Sequence, residues 1–216
     1  MIDFDYNATT PLKEPVRRAM EPYMGDRYGN PSSIHRVGQK TKAAVEEARD
    51  AIASSVNADP ESLVITGSGS EANTLALRGY LGDPEEETTI LTSPVEHSSV
   101  RDTVAWYEEN GAEVRRVEVG ADGQLDRASF EEQLAPDVDL VTIMTVNNET
   151  GVRYPVDEFA KICSERGVVF HTDAVQAYGK CSLDFSEWAG DMMTVSAHKV
   201  GGPKGVGALF APKDIH

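Results

Sequence analysis

Residues 63–77 read LVITGSGSEANTLAL, a short apolar run that passes through a glycine-rich turn into a helical pattern. A strand that leads directly into a helix is the unit from which alternating α/β folds are built. Gly67 and Gly69 allow the backbone to approach an anion, and the N–H groups at the start of the helix can receive it. The stretch therefore predicts a strand over Leu63–Thr66, a helix through Leu77 and an anion site between them.

The same turn also matches the spacing G-x-G-x-x-A of dinucleotide-binding folds over Gly67–Ala72. The acidic residue that usually contacts the ribose about 20 positions later is not evident here. The turn therefore favours phosphate binding, and a nicotinamide-dependent dehydrogenase stays open as the weakest alternative.

Outward from this turn, apolar runs and amphipathic stretches continue to alternate, beginning with a helix predicted over Arg36–Val56. The further predicted strands are Thr88–Ser93, Glu113–Val119, Leu140–Val146, Val168–Asp173, Met192–Ser196 and Val206–Ala211. The predicted helices between them are Ser98–Asn110, Arg127–Leu134 and Val156–Arg166. This alternation predicts an α/β fold with a mostly parallel seven-stranded sheet and helices on both faces.

Polar residues follow the ends of these strands, where open α/β sheets bind their ligands. Lys199 comes just after an apolar strand, and a desolvated lysine amine can lose its proton and attack an aldehyde. Asp173 ends another apolar strand, where a carboxylate is costly unless it has a cationic partner such as a protonated pyridine nitrogen. Together with the phosphate-binding turn, these residues predict a pyridoxal phosphate site.

The net charge of the chain limits the kinds of partner that it can bind. It has 36 acidic and 20 basic residues, which gives a net charge of −16. Such a surface repels nucleic acid and anionic membranes, and it is typical of proteins adapted to high salt. With no signal-peptide pattern and no long apolar run, we expect a halophilic, cytoplasmic protein. Cys163 and Cys181 lack metal-ligand spacing, so no metal site is predicted.

Seven segments together resemble one family: DYNATTP, YGNPSSIH, TGSGSEANTLAL, VEHSSV, VNNETG, HTDAVQAYGK and SAHKVGGPKGVGAL. Their content and order resemble class V aminotransferases, most of all the cysteine desulfurases of iron–sulfur cluster assembly. The resemblance implies a type I pyridoxal-phosphate-dependent transferase large domain over residues 1–216, with residues 1–35 as an N-terminal arm and no C-terminal small domain. It also implies removal of sulfur from L-cysteine to give alanine and an enzyme persulfide, a homodimer, and an iron–sulfur scaffold or another sulfur acceptor as partner.

The resemblance further implies roles for individual residues. Lys199 would carry pyridoxal 5'-phosphate as a Schiff base, His97 would stack on its ring and transfer protons, and Asp173 would pair with the ring nitrogen. The remaining cofactor contacts would be Asn148 and Gln176 on the phenolic oxygen side, and Gly69, Ser70, Ser196 and His198 at the phosphate. The family more often has Ala-Thr at positions 69–70, and the hydroxyl is kept here.

Two further family features have no counterpart in the sequence. The mobile-loop cysteine that takes the sulfur and the arginine that binds the substrate carboxylate lie, in the family, in the C-terminal part. We expect Cys163 to pack within a helix and Cys181 to lie away from the sulfur-accepting loop, and we expect His35 and His171 to be structural. The sequence thus predicts that this chain alone does not complete desulfuration. Two alternatives stay open: a truncated or split remnant that keeps the fold, with or without the cofactor, and a related class V lyase or aminotransferase.

Overall fold

The computed structural model describes residue 2, residues 4–85 and residues 87–212. A single sheet of seven strands runs through this part of the chain: β1 (Leu63–Thr66), β2 (Thr89–Thr92), β3 (Glu113–Arg116), β4 (Leu140–Thr142), β5 (Val169–Asp173), β6 (Met192–Ser196) and β7 (Gly207–Phe210). The strand order is β1-β7-β6-β5-β4-β2-β3, and β7 is antiparallel to both of its neighbours while the other adjacent pairs are parallel. The prediction of a mostly parallel seven-stranded sheet is confirmed.

In the described ranges, six α-helices accompany the sheet: α1 (Glu14–Met20), α2 (Arg36–Ser54), α3 (Gly69–Leu81), α4 (Ser98–Glu109), α5 (Arg127–Gln133) and α6 (Val156–Arg166). Short 3-10 turns cover Glu21–Met24, Pro60–Ser62 and Ala197–Lys199. Within the described residues, no helix is long and apolar enough to cross a membrane.

Both faces of the sheet are packed, as successive residues on one strand demonstrate. Ile90 lies in an apolar cluster with residues of α3 and α4, whereas Leu91 lies in a cluster with Phe159 of α6 and Phe130 of α5. Adjacent residues of a strand point to opposite faces, so α3 and α4 cover one face and α5 and α6 the other. The prediction of helices on both faces is confirmed.

Several predicted element ends were wrong. The first long helix stops at Ser54 instead of Val56, since Asn57 takes a positive φ of 54° that a helix cannot continue. Strand β3 ends at Arg116 instead of Val119, and β4 ends at Thr142 instead of Val146. Beyond β4, the Thr145 carbonyl accepts from Tyr154, which turns the chain into a loop. Helix α3 extends beyond Leu77 to Leu81, and the other predicted ends either match the structure or differ by one residue.

The N-terminal part of the chain packs much less than the sheet. Only Gly38 and Ala53 are buried in α2, and α1 has no buried residue. The other residues of α2 are half-buried at best, and Val37 is exposed. The described chain therefore leaves apolar surface of its first two helices uncovered.

Candidate active site

A cavity of about 650 Å³ opens at the carboxyl ends of the parallel strands. The nine residues predicted for the site all line it: Gly69, Ser70, His97, Asn148, Asp173, Gln176, Ser196, His198 and Lys199. They come from the ends of β1, β2, β5 and β6 and from the loop after β4, which confirms that these distant residues converge at one edge of the sheet. Their individual roles stay predictions.

The start of α3 forms one wall of the cavity. The hydroxyl of Ser68 caps the helix by accepting from the Glu71 N–H at 3.0 Å. The turn lies directly on β7, since a Cβ on Gly207 would come within 2.3 Å of the Ser68 backbone. Glycine at 207 thus lets the turn settle close to the sheet, with the N–H groups of Gly69 and Ser70 at the helix start.

Two features of this wall suit a phosphate group. The hydroxyl of Ser196 is buried and has no hydrogen-bond partner among the described residues. A Cβ on Gly69 would come within 2.9 Å of Val175 and 3.3 Å of the Ser196 Cβ, so a larger residue would fill the space beside that hydroxyl. Because buried polar groups rarely lack a partner, the unpaired donor beside a helix N-terminus fits an anion that binds there.

Asp173 lies at the base of the cavity and is buried. Its Oδ1 accepts from the Val175 N–H at 2.9 Å, and its Oδ2 accepts from the Asn73 side-chain amide at 2.7 Å. Burial raises the pKa of Asp173, while these hydrogen bonds and the nearby His97 and Lys199 oppose the rise. A cation in the cavity would therefore stabilise the buried carboxylate, as the predicted pairing of Asp173 with the ring nitrogen requires.

His97 is the N-cap of α4. Its Nδ1 lies 2.8 Å from the Ser99 hydroxyl and accepts from the Ser99 backbone N–H at 3.2 Å. Because Nδ1 is an acceptor in this arrangement, the proton of the neutral ring belongs on Nε2. The position and tautomer suit a ring that stacks on a ligand and donates through Nε2.

Glu96 precedes His97 and is buried beneath the cavity. One carboxyl oxygen accepts from the Ser93 hydroxyl and from the Met144 N–H, and the other has no partner among the described residues. Burial raises its pKa to about 8. The side chain thus ties the end of β2 to the chain after β4 and fixes the backbone on which His97 stands.

Lys199 ends the 3-10 turn that follows β6 and is half-buried. Its Nζ donates to the backbone carbonyls of Asn7 at 2.7 Å and Ala8 at 2.9 Å. Burial lowers its pKa, as does the neighbouring ammonium of Lys180, while Asp173 and Asp5 act in the opposite direction. A lowered pKa favours the uncharged amine that attacks an aldehyde.

The segment that supplies these carbonyls is attached to the loop after β6. The Thr10 hydroxyl donates to the His198 carbonyl and accepts from the Gly201 N–H, both at 2.7 Å. The Thr9 hydroxyl lies 3.0 Å from His198 Nδ1. Asn7 and Ala8 therefore line the cavity as its N-terminal wall, and Thr9 and Thr10 attach this wall to the loop after β6.

The amide of Gln176 also engages this segment. Its Nε2 donates to the Asn7 carbonyl at 3.0 Å, and its Oε1 accepts from Lys180 at 2.8 Å. Asn148 lines the cavity, whereas its neighbour Asn147 holds a turn by accepting from the Glu149 and Thr150 N–H groups. The two predicted amides are thus both at the cavity.

Sequence reasoning missed three of the residues that position this site. It did not identify Asn7 or Ala8, whose contribution is a backbone carbonyl that no side-chain pattern reveals. It also missed Asn73, although a signal existed: this amide shares the apolar face of α3 with Ala76 and Leu77. A polar residue on such a face requires a buried partner.

The cysteines and the remaining histidines have structural surroundings. Cys163 is buried, and burial raises its pKa to about 12, so the expectation that it packs within a helix is confirmed. Cys181 is half-buried beside the core, and neither thiol lines the cavity. His35 caps α2 by accepting from Gly38, and the buried His171 lies between the hydroxyls of Thr142 and Thr194, which fits the structural roles expected of both.

Comparison with known proteins identifies the family: the chain matches the class V aminotransferases over residues 2–216 and belongs to them. It is similar to the cysteine desulfurase IscS of Dechloromonas aromatica (strain RCB), with 43% identity over 212 residues that cover 97% of this chain and 52% of that protein. It is also similar to the mitochondrial cysteine desulfurase of Drosophila melanogaster, with 43% identity over 210 residues that cover 95% of this chain and 45% of that protein. The family resemblance read from the seven sequence segments is confirmed.

Solved structures agree with this assignment. SspA in complex with cysteine superposes with a TM-score of 0.94 at 36% identity, over 98% of this chain and 61% of that one. The apo cysteine desulfurase from Thermococcus onnurineus NA1 superposes with a TM-score of 0.89 at 29% identity, over 98% of this chain and 53% of that one. These relatives confirm the predicted type I fold, and the pyridoxal phosphate dependence of the family confirms the cofactor class.

The chain spans about half the length of the curated relatives it matches.

Proposed function

We propose that this chain is the cofactor-binding large domain of a cysteine desulfurase, which removes sulfur from L-cysteine and leaves alanine and an enzyme persulfide. The observation that carries the proposal is the convergence, in one cavity, of the amine of Lys199, the buried carboxylate of Asp173 and the unpaired hydroxyl of Ser196. An amine, an acid and an anion cradle are the three groups that pyridoxal 5'-phosphate requires.

The residues of the cavity divide between the two ends of this cofactor. Asp173 would hold the positive charge of the ring nitrogen, and His97 would lie against the ring. The proposed phosphate ligands are Gly69, Ser70, Ser196 and His198, and the proposed contacts of the phenolic oxygen are Asn148 and Gln176. When bound, the cofactor supplies an electron sink for the bonds at the substrate Cα.

The protein's own groups prepare the chemistry around it. Burial and Lys180 lower the pKa of Lys199, so a larger fraction of its amine is uncharged and able to bond to the aldehyde. That bond would replace the two hydrogen bonds that the amine donates to the carbonyls of Asn7 and Ala8. Because Ser99 occupies Nδ1 of His97, Nε2 carries the proton and would act as the donor of this ring.

The sulfur-accepting thiol is assigned to no residue of this chain. Neither cysteine lines the cavity, and the raised pKa of Cys163 disfavours the thiolate that attacks sulfur. Persulfide formation therefore needs a thiol other than Cys163 and Cys181. An iron–sulfur scaffold or another sulfur-acceptor protein is the proposed downstream partner.

A homodimer is the proposed assembly. The exposed apolar side chains of the described residues concentrate near the N-terminus, in the arm proposed for residues 1–35, and a second copy would cover them: Ile2, Phe4, Tyr6, Met24, Tyr28 and Ile34. The net charge of −16 disfavours nucleic acid and anionic membranes as partners and suits a halophilic cytoplasm, which is the proposed location.

Adding L-cysteine to the cofactor-loaded protein tests the activity. We expect L-cysteine to change the visible absorption of the bound cofactor. L-valine lacks a thiol, so it should release no sulfur. Alanine should form only when a thiol that can accept the sulfur is supplied, in an amount equal to that of the protein or greater. The variant with both Cys163→Ser and Cys181→Ser is the matched control and should respond as the unchanged protein does. A protein that binds nicotinamide cofactors, or whose bound pyridoxal phosphate ignores L-cysteine, would contradict the proposal.

A further inference from the structure

We propose that Asn73 is a positioning residue through which, by way of Ser99, the carboxylate of Asp173 favours the His97 tautomer that carries its proton on Nε2. Three hydrogen bonds connect the four side chains. The Asn73 amide nitrogen lies 2.7 Å from Asp173 Oδ2 and 2.9 Å from Ser99 Oγ, and Ser99 Oγ lies 2.8 Å from His97 Nδ1. The chain of contacts joins the acid at the end of β5 to the histidine at the start of α4.

The orientation of the Asn73 amide is set by Asp173. An amide nitrogen carries two donors, whereas an amide oxygen only accepts. If the amide were reversed, its oxygen would face the carboxylate, and two acceptors would be in contact. The oxygen instead points to a buried place where it has no partner among the described residues. The charge of the Asp173 carboxylate therefore holds the Asn73 amide with its nitrogen directed at Asp173, although its oxygen is then unpaired.

This orientation fixes the hydrogen of Ser99 in turn. Since the Asn73 nitrogen can only donate, Ser99 Oγ accepts from it and turns its own hydrogen towards His97 Nδ1. The backbone N–H of Ser99 reaches the same ring nitrogen at 3.2 Å. Nδ1 is thus an acceptor, and the proton of His97 stays on Nε2, the nitrogen left for work in the cavity.

A carboxamide at position 173 would reverse the chain of donors. The amide nitrogen of Asp173→Asn can donate to the Asn73 oxygen once the Asn73 amide has turned over. The Asn73 oxygen then also accepts from the Ser99 hydroxyl, which leaves Ser99 Oγ as an acceptor for a proton on His97 Nδ1. Nδ1 of His97 then loses one of its two donors and keeps the Ser99 N–H, so the tautomer equilibrium moves part of the way towards Nδ1–H although nothing in contact with His97 has been replaced.

Nitrogen NMR of histidine labelled with ¹⁵N tests this on the cofactor-free protein at mildly alkaline pH. In the unchanged protein, we expect an unprotonated-type shift for His97 Nδ1 and a protonated-type shift for Nε2. In Asp173→Asn, the Nδ1 signal should move towards the protonated type. In Asn73→Leu, the further change Asp173→Asn should leave the His97 signals where they are, because the connection is gone.

The second link provides a milder variant should Asn73→Leu fail to fold. Ser99→Ala removes the hydroxyl alone, and it too should abolish the response of His97 to Asp173→Asn. The signals of the buried His171 report on the fold in each variant, because this ring lies between Thr142 and Thr194. A His97 tautomer that ignores Asp173→Asn, or that responds equally without Asn73 or Ser99, overturns the proposal.

The inference rests on the proposed function only in taking Asp173 and His97 as the groups that the site uses. The NMR measurement needs no cofactor and no turnover, so it can fail while pyridoxal phosphate still binds at Lys199. Equally, the His97 response can be observed in a protein that does not act on L-cysteine.

Discussion

The two walls of the cavity are built in different ways. On the sheet side, Asp173 and Ser196 are only 5% and 2% exposed, and they stand at the ends of strands packed on both faces. On the N-terminal side, Asn7 and Ala8 belong to a part of the chain in which Phe4 and Ile34 are 93% and 92% exposed. The sheet wall is therefore fixed by the core of the fold, whereas the N-terminal wall depends on a few hydrogen bonds to the loop after β6. Lys199 lies between the two walls and interacts with both of them.

The largest effect is expected from Glu96, because it is buried in the sheet wall and its pKa is raised to about 8. Between the ordinary pKa of 4.5 and this value, the folded protein holds a proton that the unfolded chain releases. Stability should therefore fall as pH rises through this window, by up to about 1.4 kcal/mol per pH unit from this group.

Glu96→Gln removes this titration and keeps the acceptor for Ser93 and Met144. Denaturant unfolding across that pH range should give a smaller decline for the variant than for the unchanged protein. Parallel pH profiles for the two proteins would show that Glu96 does not hold a proton in the folded state.

Asp173→Asn should produce the next largest effect. A hydrogen bond to a charged group contributes about 1.5–3 kcal/mol, so the retention of pyridoxal phosphate should weaken about 10- to 100-fold. Equilibrium dialysis against the cofactor would measure this. Asp191→Asn is the matched control: this carboxylate accepts from the Phe170 N–H at the other end of the sheet and should affect stability without affecting retention.

The sheet wall was the part that the sequence could predict. Apolar runs are long enough to identify each strand. The last residue of a strand has a fixed place in a parallel sheet, so Asp173 and Ser196 could be placed at this edge from the sequence alone. Strand lengths were less accurate: β4 ends at Thr142, although the run Leu140–Val146 stays mostly apolar and the Thr145 N–H still donates to Asp173 of β5.

The N-terminal wall could not be predicted in the same way. Its contribution to Lys199 is made by the carbonyls of Asn7 and Ala8, which every residue type possesses. The path of this segment is set by Thr10 and Gly201, residues that lie 191 positions apart in the sequence. Such a long-range pairing of a hydroxyl with a backbone N–H has no periodicity from which to infer it.

Thr10→Val tests the weaker wall. It removes the hydroxyl bonds to His198 and Gly201 and keeps the volume of the side chain. The net loss should be about 1 kcal/mol, which corresponds to about fivefold weaker retention of the cofactor with little change in the unfolding transition. Thr41→Val, which removes a hydroxyl bond within α2, is the control and should leave retention unchanged. A large loss of global stability in Thr10→Val would mean that the two walls are not distinct.

The smallest effect on the chain itself is expected from Ile34→Asp. An exposed side chain contributes little to folding, so the free energy of unfolding should change by less than about 0.5 kcal/mol. Sedimentation should nevertheless show weaker self-association if a second copy covers this surface. Leu75→Asp, at an exposed position of α3 away from the N-terminal arm, is the comparison. Equal association of the two variants would remove the support for this surface as the dimer interface.

The central claim is that Lys199, held between the two walls, carries the cofactor. Borohydride reduction of the protein loaded with pyridoxal 5'-phosphate fixes the cofactor to its lysine, and peptide mass mapping then locates it. We predict a single phosphopyridoxyl group on Lys199, which disappears in Lys199→Ala and persists in Lys204→Ala. A label on Lys180 or Lys204 in the unchanged protein would contradict the assignment of this cavity as the catalytic site.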